Sequence, residues 1–322
     1  MLNRATFPPV TLSDIEAAHP RIASYVRRTP LARSETLSQR LGTNIYLKAE
    51  LFQKTGAFKV RGAFNRMLSI SGDARGKGVV AMSGGNHAQA VAYAARALGM
   101  KALIFMPQST PKNYVDGTRS YGATVSFVPT SLDGFAAMDD YATKGWVAVH
   151  PFNDPLVIAG QGTAGLEILD DAPQVTDVIV SIGGGGLIAG IATAVKSRRP
   201  DVRVWGVETQ GADCMAQALA AGHVVTMSAV TSIARTLGAP AASEETLAAV
   251  KRYVESVTVV SDADAIAALR LLLERTKMLV EPAGSCTLAA AERLRDQFGP
   301  DRHVVLFLCG GNIGVDDLCR LP

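Results

Sequence analysis

Cysteine is scarce in this sequence. The chain has 322 residues but only four cysteines, Cys214, Cys286, Cys309 and Cys319, and no two of them form a C-x-x-C pair. This spacing matches neither a zinc-finger motif nor the framework of a disulfide-rich secreted domain. We therefore expect four reduced thiols.

Long apolar runs and charge of a single sign are also lacking. The longest apolar runs, such as "VVLFLCGG", are far shorter than the ~20 residues that a membrane helix needs, and the N-terminal "MLNRATFPPV" lacks the apolar core of a signal peptide. The 32 basic and 29 acidic residues are interspersed, so no basic stripe indicates nucleic acid and no basic cluster indicates lipid. We expect a cytoplasmic protein whose partners are small molecules, with no nucleic acid and no membrane among them.

Short β-rich runs alternate with longer helical patterns through most of the chain. The apolar runs with β character are "NIYLKAE", "GVVAMS", "KALIFMP", "ATVSFVP", "WVAVH", "DVIVSI", "VRVWGVE", "SVTVVSD" and "HVVLFLCGG". This alternation is typical of parallel sheets covered by helices and predicts an α/β fold. About ten candidate strands are many for one open sheet, so we predict two parallel sheets with a cleft between them and a crossing near 151–154.

Lys59 stands in the uncharged, glycine-flanked stretch "FQKTGAFKVRGAFN". A lysine is normally a strongly hydrated surface cation, and burial that lowers its pKa makes it a nucleophile or a base. Both interpretations of Lys59 stay open on this stretch alone.

Four consecutive glycines, Gly183 to Gly186, lie between a predicted strand and a predicted helix. We attribute them to the binding of an anion by backbone N–H groups at a helix N-terminus, and not to packing; a phosphate-bearing ligand fits this pattern. The alternatives are a flexible linker or a dinucleotide site, because Gly184, Gly186 and Ala189 fit G-x-G-x-x-A and Glu208 ends the next strand.

A second loop, "MSGGNHAQAV", places Ser83, Gly84, Gly85 and Asn86 before a helix. Its backbone N–H groups, the Ser83 hydroxyl and the Asn86 amide could hold a substrate carboxylate, or the loop could be a capped turn. His87 could act as a base, although a histidine at a helix start is more often structural.

Two further residues stand close to turns and could serve a site. Cys309 follows the last predicted strand in "LCGGNIG", where its sulfur could face a ring nitrogen or simply be buried. Glu281 in "VEPAGS" is a carboxylate before a proline, useful near a site or only a charge at a helix start.

Together these stretches resemble the fold-type II pyridoxal-phosphate enzymes, specifically the serine/threonine dehydratase and serine racemase group. The matching stretches cover nearly the whole chain and are "AELFQKTGAFKVRGAFN", "SGGNHAQAVAYAA", "FNDPLVIAGQGTAGLEIL", "SIGGGGLIAGIA", "VEPAGS" and "CGGNIG". The resemblance implies a tryptophan synthase β-like architecture of two parallel-sheet α/β domains, with the active site in the cleft between them. On this basis we place a large domain at 1–66 and 152–322, and a small domain at 67–151.

The resemblance also implies the cofactor, pyridoxal 5'-phosphate, and a role for each motif. Lys59 would be the catalytic residue and carry the cofactor as a Schiff base. The implied cofactor contacts are Phe58, Lys59, Asn86, Gly183, Gly184, Gly185, Gly186, Leu187, Glu281 and Cys309. The implied substrate contacts are Ser83, Gly84, Asn86, His87 and Arg235.

The implied reaction is β-elimination of water from an L-3-hydroxy amino acid, followed by deamination to a 2-keto acid and ammonia. The freed Lys59 amine would remove the α-proton, and the Cys309 thiol would leave the ring nitrogen unprotonated. The alternatives are an amino-acid racemase on the same fold, an NAD-dependent oxidoreductase and a cofactor-free binding protein. Neither an oxidoreductase nor a cofactor-free binding protein requires an amine at position 59, so Lys59 in its motif favours a pyridoxal-phosphate enzyme over both. Relatives of this kind suggest a homodimer.

Several positions depart from the family pattern. Ala57 replaces the usual serine, and Gly84 replaces the serine that acts as acid/base in the racemases, so we expect elimination with little racemisation. Arg235 and Thr236 replace an Asp-Gly pair near the substrate side chain. We therefore expect a roomier pocket that admits L-threo-3-phenylserine, as in a phenylserine dehydratase-like member, or 3-hydroxyaspartate if Arg235 points inward.

The metal site of the racemases is matched only in part. Glu208 and Asp213 lie in the corresponding stretch, but Cys214 stands where a second carboxylate is expected. Because cysteine is a poor ligand for hard cations, we predict no dedicated divalent site.

Overall fold

The structure is a computed structural model that describes residues 7–72 and 74–321. Within these residues the strands are β1 (Leu31–Arg33), β2 (Asn44–Ala49), β3 (Val79–Met82), β4 (Ala102–Pro107), β5 (Thr124–Val128), β6 (Val147–Ala148), β7 (Asp177–Ser181), β8 (Arg203–Thr209), β9 (Val257–Val260) and β10 (His303–Leu308). The α-helices are α1 (Leu12–Ile22), α2 (Glu35–Leu41), α3 (Val60–Leu68), α4 (Ala74–Lys77), α5 (Asn86–Ala97), α6 (Lys112–Ser120), α7 (Ser131–Thr143), α8 (Pro155–Asp171), α9 (Gly186–Arg198), α10 (Cys214–Ala221), α11 (Glu244–Tyr253), α12 (Asp262–Thr276), α13 (Pro282–Arg293) and α14 (Val315–Cys319).

The strands form two sheets, in the orders β1-β2-β10-β7-β8-β9 and β5-β4-β3-β6. All neighbours are parallel except β1 and β2, which are antiparallel. The predicted α/β class with two parallel sheets is confirmed. The sequence patterns do not indicate β1, which is a three-residue edge strand without a buried side chain.

The strands of the smaller sheet are buried on both faces. Val79 and Ala81 of β3 point to the apolar cluster that includes α3 and α5, whereas Val80 and Met82 point to a second cluster with Phe135 of α7. Side chains that alternate between two buried faces produce the continuous apolar runs seen in the sequence.

The smaller sheet is built entirely from the chain between 79 and 148, and the larger sheet from the strands before and after it. The chain returns to the larger sheet through α8, which begins at Pro155. Asp154 explains this start, because its carboxylate accepts from the N–H groups of Leu156 and Val157. The domain boundaries at 66/67 and 151/152 stay predictions.

Four charged side chains form a buried ion cluster, which we define as Lys48, Glu50, Arg61 and Glu167. Arg61 lies 2.7 Å from Glu50 and 2.7 Å from Glu167, and the Lys48 amine lies 2.6 Å from Glu167. Burial alone would lower the pKa of Arg61, but the two carboxylates raise it. The cluster joins β2, α3 and α8, so it fixes the helix that begins directly after Lys59.

No helix in 7–72 or 74–321 combines the length and the apolar character needed to cross a bilayer.

Candidate active site

The predicted site residues follow the carboxyl ends of strands in both sheets. Ser83 follows β3 of the smaller sheet, whereas Gly183 and Cys309 follow β7 and β10 of the larger one. The carboxyl ends of parallel strands are the usual place of ligand sites in such folds.

The segment that carries Lys59 is fixed to the end of β10. Ala57 forms an antiparallel bridge with Gly310, and the Phe58 N–H donates to the Cys309 carbonyl at 3.1 Å. Lys59 is therefore held next to the loop that follows the central strand β10.

The Lys59 amine faces a carbonyl and an aromatic ring, and no carboxylate of the described residues forms an ion pair with it. Its Nζ donates to the Pro151 carbonyl at 2.8 Å and lies 5.1 Å from the centre of the Phe58 ring. Desolvation lowers the pKa of Lys59 to about 8, and the neighbouring Cys309 and Glu281 oppose this shift only in part. A substantial fraction of the amine is thus neutral near physiological pH, as a nucleophile or base requires.

The glycine loop at 183–186 is shaped by packing as well as by its backbone. A Cβ at position 184 would lie 2.3 Å from the Phe152 ring, and a Cβ at position 186 would lie 2.8 Å from the Phe152 Cα. Gly185 has φ +92°, which favours glycine. Our expectation that packing does not account for these glycines was wrong, because Phe152 occupies the space that side chains would need.

The backbone amides of this loop are available to an anion. Within the described part of the chain, none of the N–H groups of 183–187 donates to a backbone carbonyl. The carbonyl side of the loop is instead fixed by Thr246, whose hydroxyl donates to the Gly184 carbonyl at 2.9 Å. These amides lie at the N-terminus of the thirteen-residue helix α9, where the helix dipole also favours an anion.

Asn86 and Glu281 belong to one buried hydrogen-bond network. The Asn86 amide donates to Glu281 at 2.7 Å and accepts from the Asn312 amide at 2.8 Å. Glu281 also accepts from the Thr236 hydroxyl at 2.9 Å and from the Tyr114 hydroxyl at 3.4 Å. Burial raises the pKa of Glu281, and these donors limit the rise.

The hydroxyls of Tyr114 and Thr236 belong to no motif of the sequence. Tyr114 lies on α6 and Thr236 lies between α10 and α11, while Glu281 immediately precedes α13. No local motif marks such residues, because only the fold brings the three elements together.

His87 is buried and neutral. Its Nε2 pairs with the Val149 carbonyl at 2.8 Å, and its Nδ1 has no partner among the described residues. Burial and the nearby Lys59 lower its pKa to about 3. A contact between His87 and a substrate stays a prediction.

Arg235 and Thr236 point in different directions. The Arg235 side chain is exposed and lines an outer recess of about 520 Å³ together with Lys112 and Asp317. Thr236 instead faces Glu281. The Arg235 side chain thus does not point inward. The 3-hydroxyaspartate alternative depended on an inward orientation.

Glu208 acts as a helix cap. Its buried carboxylate accepts from the N–H groups of Met215 and Ala216 at the start of α10, and burial raises its pKa to about 8. The dinucleotide interpretation needs this carboxylate for a ribose hydroxyl, whereas both of its oxygens are engaged by the helix. Among residues 7–72 and 74–321, no three His, Cys, Asp or Glu side chains cluster as metal ligands.

Cys309 lies in the same buried region as Glu281. Burial raises the pKa of the Cys309 thiol well above its usual value, and the charge of Glu281 adds to this rise. The thiol is therefore protonated at neutral pH and presents a weakly polar, uncharged group.

Comparisons with known proteins identify the family. The model of the pyridoxal-phosphate dependent enzymes matches residues 22–310. An L-threonine ammonia-lyase of Geobacter sulfurreducens is 44% identical over 95% of this chain and 76% of its own length. Among solved structures, maize serine racemase matches with a TM-score of 0.92 and 35% identity over 97% of both chains. The processed form of threonine deaminase isoform 2 from Solanum lycopersicum matches with a TM-score of 0.88 and 33% identity over 96% of this chain and 85% of its own.

This chain therefore belongs to the pyridoxal-phosphate dependent enzymes. The predicted family, the fold class and the cofactor are confirmed, and the nicotinamide and cofactor-free alternatives are not supported.

The residues present fit this cofactor. Pyridoxal phosphate carries an aldehyde and a phosphate, so its site needs an amine of lowered pKa and a set of anion donors. Lys59 has the first property, and the free amides of 183–187 have the second.

Proposed function

We propose that this protein removes water from L-threonine or L-serine and releases a 2-keto acid and ammonia. The observation that carries the proposal is the buried Lys59 amine, which has a pKa of about 8 and stands beside a network that ends on Glu281. Relatives named L-threonine ammonia-lyase and catabolic L-threonine dehydratase, at 44% and 39% identity, support the same reaction.

Each part of the site would have one task in holding the cofactor. The amides of 183–187 would bind its phosphate, and Phe58 would pack against its ring. Cys309 would face the ring nitrogen, and Asn86, held by Glu281, would lie beside the phenolic oxygen. Ser83 and Gly84 would belong to the substrate side.

When bound, the cofactor withdraws electrons from the α-carbon of an amino acid. The chain's own residues then handle the protons. Lys59, neutral in part at physiological pH, takes the α-proton. The uncharged Cys309 thiol supplies no charge that would hold a proton on the ring nitrogen, so electron withdrawal is moderate and suits departure of the β-hydroxyl.

A small substrate side chain accords best with the space around Gly84 and Gly85. A Cβ at position 84 would meet the Thr110 hydroxyl at 2.7 Å, and a Cβ at position 85 would meet the Thr236 methyl at 3.2 Å. Thr110 and Thr236 therefore border these two glycines, and the roomier pocket that we expected from Arg235, Thr236 and Gly84 stays a prediction. Phenylserine remains the comparison substrate for the test.

The test combines spectroscopy with product analysis. The purified protein should be yellow, borohydride should fix the cofactor on Lys59, and L-threonine should give a 2-keto acid. Lys59→Ala should abolish the adduct and the product, whereas Lys54→Ala serves as the nearby control. A kcat/KM for L-threo-3-phenylserine above that for L-threonine and L-serine would refute the small pocket, and rapid formation of D-isomers would refute elimination as the main reaction.

A further inference from the structure

Thr110 occupies an unusual place beside the loop at 83–86. It follows β4, and its N–H donates to the Pro107 carbonyl at 2.9 Å, which fixes the turn. The Thr110 hydroxyl oxygen lies 2.7 Å from the point where a Cβ at position 84 would stand. The end of β4 therefore places a hydroxyl in the space that Gly84 leaves free.

This hydroxyl has no hydrogen-bond partner within the described chain. The Thr110 Oγ1 atom is buried, and no donor or acceptor for it exists among residues 7–72 and 74–321. A buried polar group without a partner destabilises a fold by about 1–3 kcal/mol. Each such group therefore needs an explanation. One explanation is that its hydrogen-bond partner is a ligand that binds there.

The neighbouring backbone lacks acceptors as well. In the described part of the chain, the N–H groups of Gly84, Asn86 and His87 donate to no carbonyl, and they lie at the start of the twelve-residue helix α5. The side-chain amide of Asn86, which we expected to hold a carboxylate, is already engaged by Glu281 and Asn312. An anion at this loop consequently has free backbone donors, whereas the Asn86 amide already donates one of its two hydrogens to Glu281, and the Ser83 hydroxyl accepts from the Gly85 N–H.

We propose that the Thr110 hydroxyl donates a hydrogen bond to the carboxylate of the amino-acid substrate at the loop 83–86. Thr110 is then a substrate-positioning residue that adds a side-chain donor to the backbone N–H groups of this loop. This inference rests on the proposed function, because it assumes an amino-acid substrate.

The test compares two ligands on three variants. L-Alanine has the carboxylate but no β-leaving group, and ethylamine has the amine without the carboxylate. Their Kd values are measured from the absorbance change of the cofactor-loaded protein. Thr110→Val removes the hydroxyl at nearly constant shape, Thr110→Ser keeps it, and Thr118→Val removes another buried hydroxyl that lacks a partner in the described chain, on α6.

Loss of a hydrogen bond to a charged group should raise the Kd of L-alanine about tenfold or more in Thr110→Val. The Kd of ethylamine should stay unchanged, and Thr110→Ser should restore most of the affinity for L-alanine. Thr118→Val should bind both ligands like the unaltered protein.

Thermal unfolding of the cofactor-free protein gives a second measure. Because the described chain offers the Thr110 hydroxyl no partner, Thr110→Val should unfold at the same or a higher temperature than the unaltered protein. A clear loss of thermal stability would mean that the hydroxyl has a structural role and would overturn the proposal.

An unchanged Kd of L-alanine in Thr110→Val, with the unaltered protein active on L-threonine, would also overturn it. A failure of the proposed function looks different, since the unaltered protein would then form no keto acid.

Discussion

The amine of Lys59 shows how burial prepares a residue for chemistry. The structure surrounds it with the Phe58 ring and the Pro151 carbonyl, and no described carboxylate forms an ion pair with it. A lysine on the surface keeps a pKa near 10.4, at which almost no neutral amine exists at physiological pH. Burial thus destabilises the protonated amine, and the neutral amine that forms instead is the reactive species.

The depressed pKa of Lys59 predicts a pH dependence of stability in the cofactor-free protein. Between pH 8 and pH 10.5 the unfolded chain keeps the Lys59 proton while the folded chain has lost it. The contribution of Lys59 to the free energy of unfolding should therefore increase as pH rises through this window. Urea denaturation at several pH values would measure it.

The control for this measurement is Lys59→Met. The raised pKa values of Tyr114 and Cys309 act in the opposite direction, because these groups ionise first in the unfolded chain. The difference between the unaltered protein and Lys59→Met cancels their effect. A difference that is independent of pH from 7 to 10.5 would contradict the shifted pKa.

At the scale of elements, the glycine loop shows two causes acting on the same residues. Its amides are free for a phosphate, and Phe152 occupies the space that a Cβ at position 184 or 186 would need. We predict that Gly184→Ala forces the ring away, lowers the free energy of unfolding by about 1–3 kcal/mol and weakens cofactor binding. Urea denaturation and absorbance titration with pyridoxal phosphate would measure the two effects.

Gly299→Ala is the matched control for the loop, because a Cβ at position 299 would meet nothing within 4 Å. Its free energy of unfolding should stay within about 0.5 kcal/mol of the unaltered protein. Equal effects of the two substitutions would show that packing against Phe152 is unimportant.

The buried ion cluster gives a second prediction for elements. Arg61→Met leaves the carboxylates of Glu50 and Glu167 without their main partner, so the free energy of unfolding should fall by about 3–5 kcal/mol. In contrast, both side chains of the Lys144–Asp140 pair are exposed. Lys144→Met should therefore change the free energy of unfolding by less than about 1 kcal/mol. Chemical denaturation of both variants would test this, and a mild effect of Arg61→Met would mean that water enters the cluster.

At the scale of the whole molecule, Tyr114 connects the two sheets. It lies on α6, which packs against β5 of the smaller sheet, and its hydroxyl donates to the Asn312 carbonyl after β10 of the larger one. Tyr114→Phe should lower kcat/KM severalfold, because one such bond contributes about 0.5–1.5 kcal/mol, and should increase hydrogen exchange in α6. Tyr121→Phe is the control, since no described residue contacts its hydroxyl by a hydrogen bond.

The fold was largely predictable from sequence, and the site only in part. Parallel strands with two buried faces leave continuous apolar runs, and the glycine turns follow them directly. The amphipathic pattern does not mark helix α13, although Glu281 was considered as a charge at a helix start, because residues 282–291 of this helix are all buried. The contacts of Tyr114 and Thr236 with Glu281 were not predictable for another reason, since the three residues come from separate segments of the chain.

The position of β10 has a consequence for how the chain is made. This last strand of the described chain lies between β2 and β7, and its His303 pairs with Asn44. During synthesis from the N-terminus, the strands of the smaller sheet can therefore assemble as soon as residues 79–148 have left the ribosome. The larger sheet stays incomplete at its centre until residues 303–308 emerge. The bridge between Ala57 and Gly310, which holds Lys59, can form only after that.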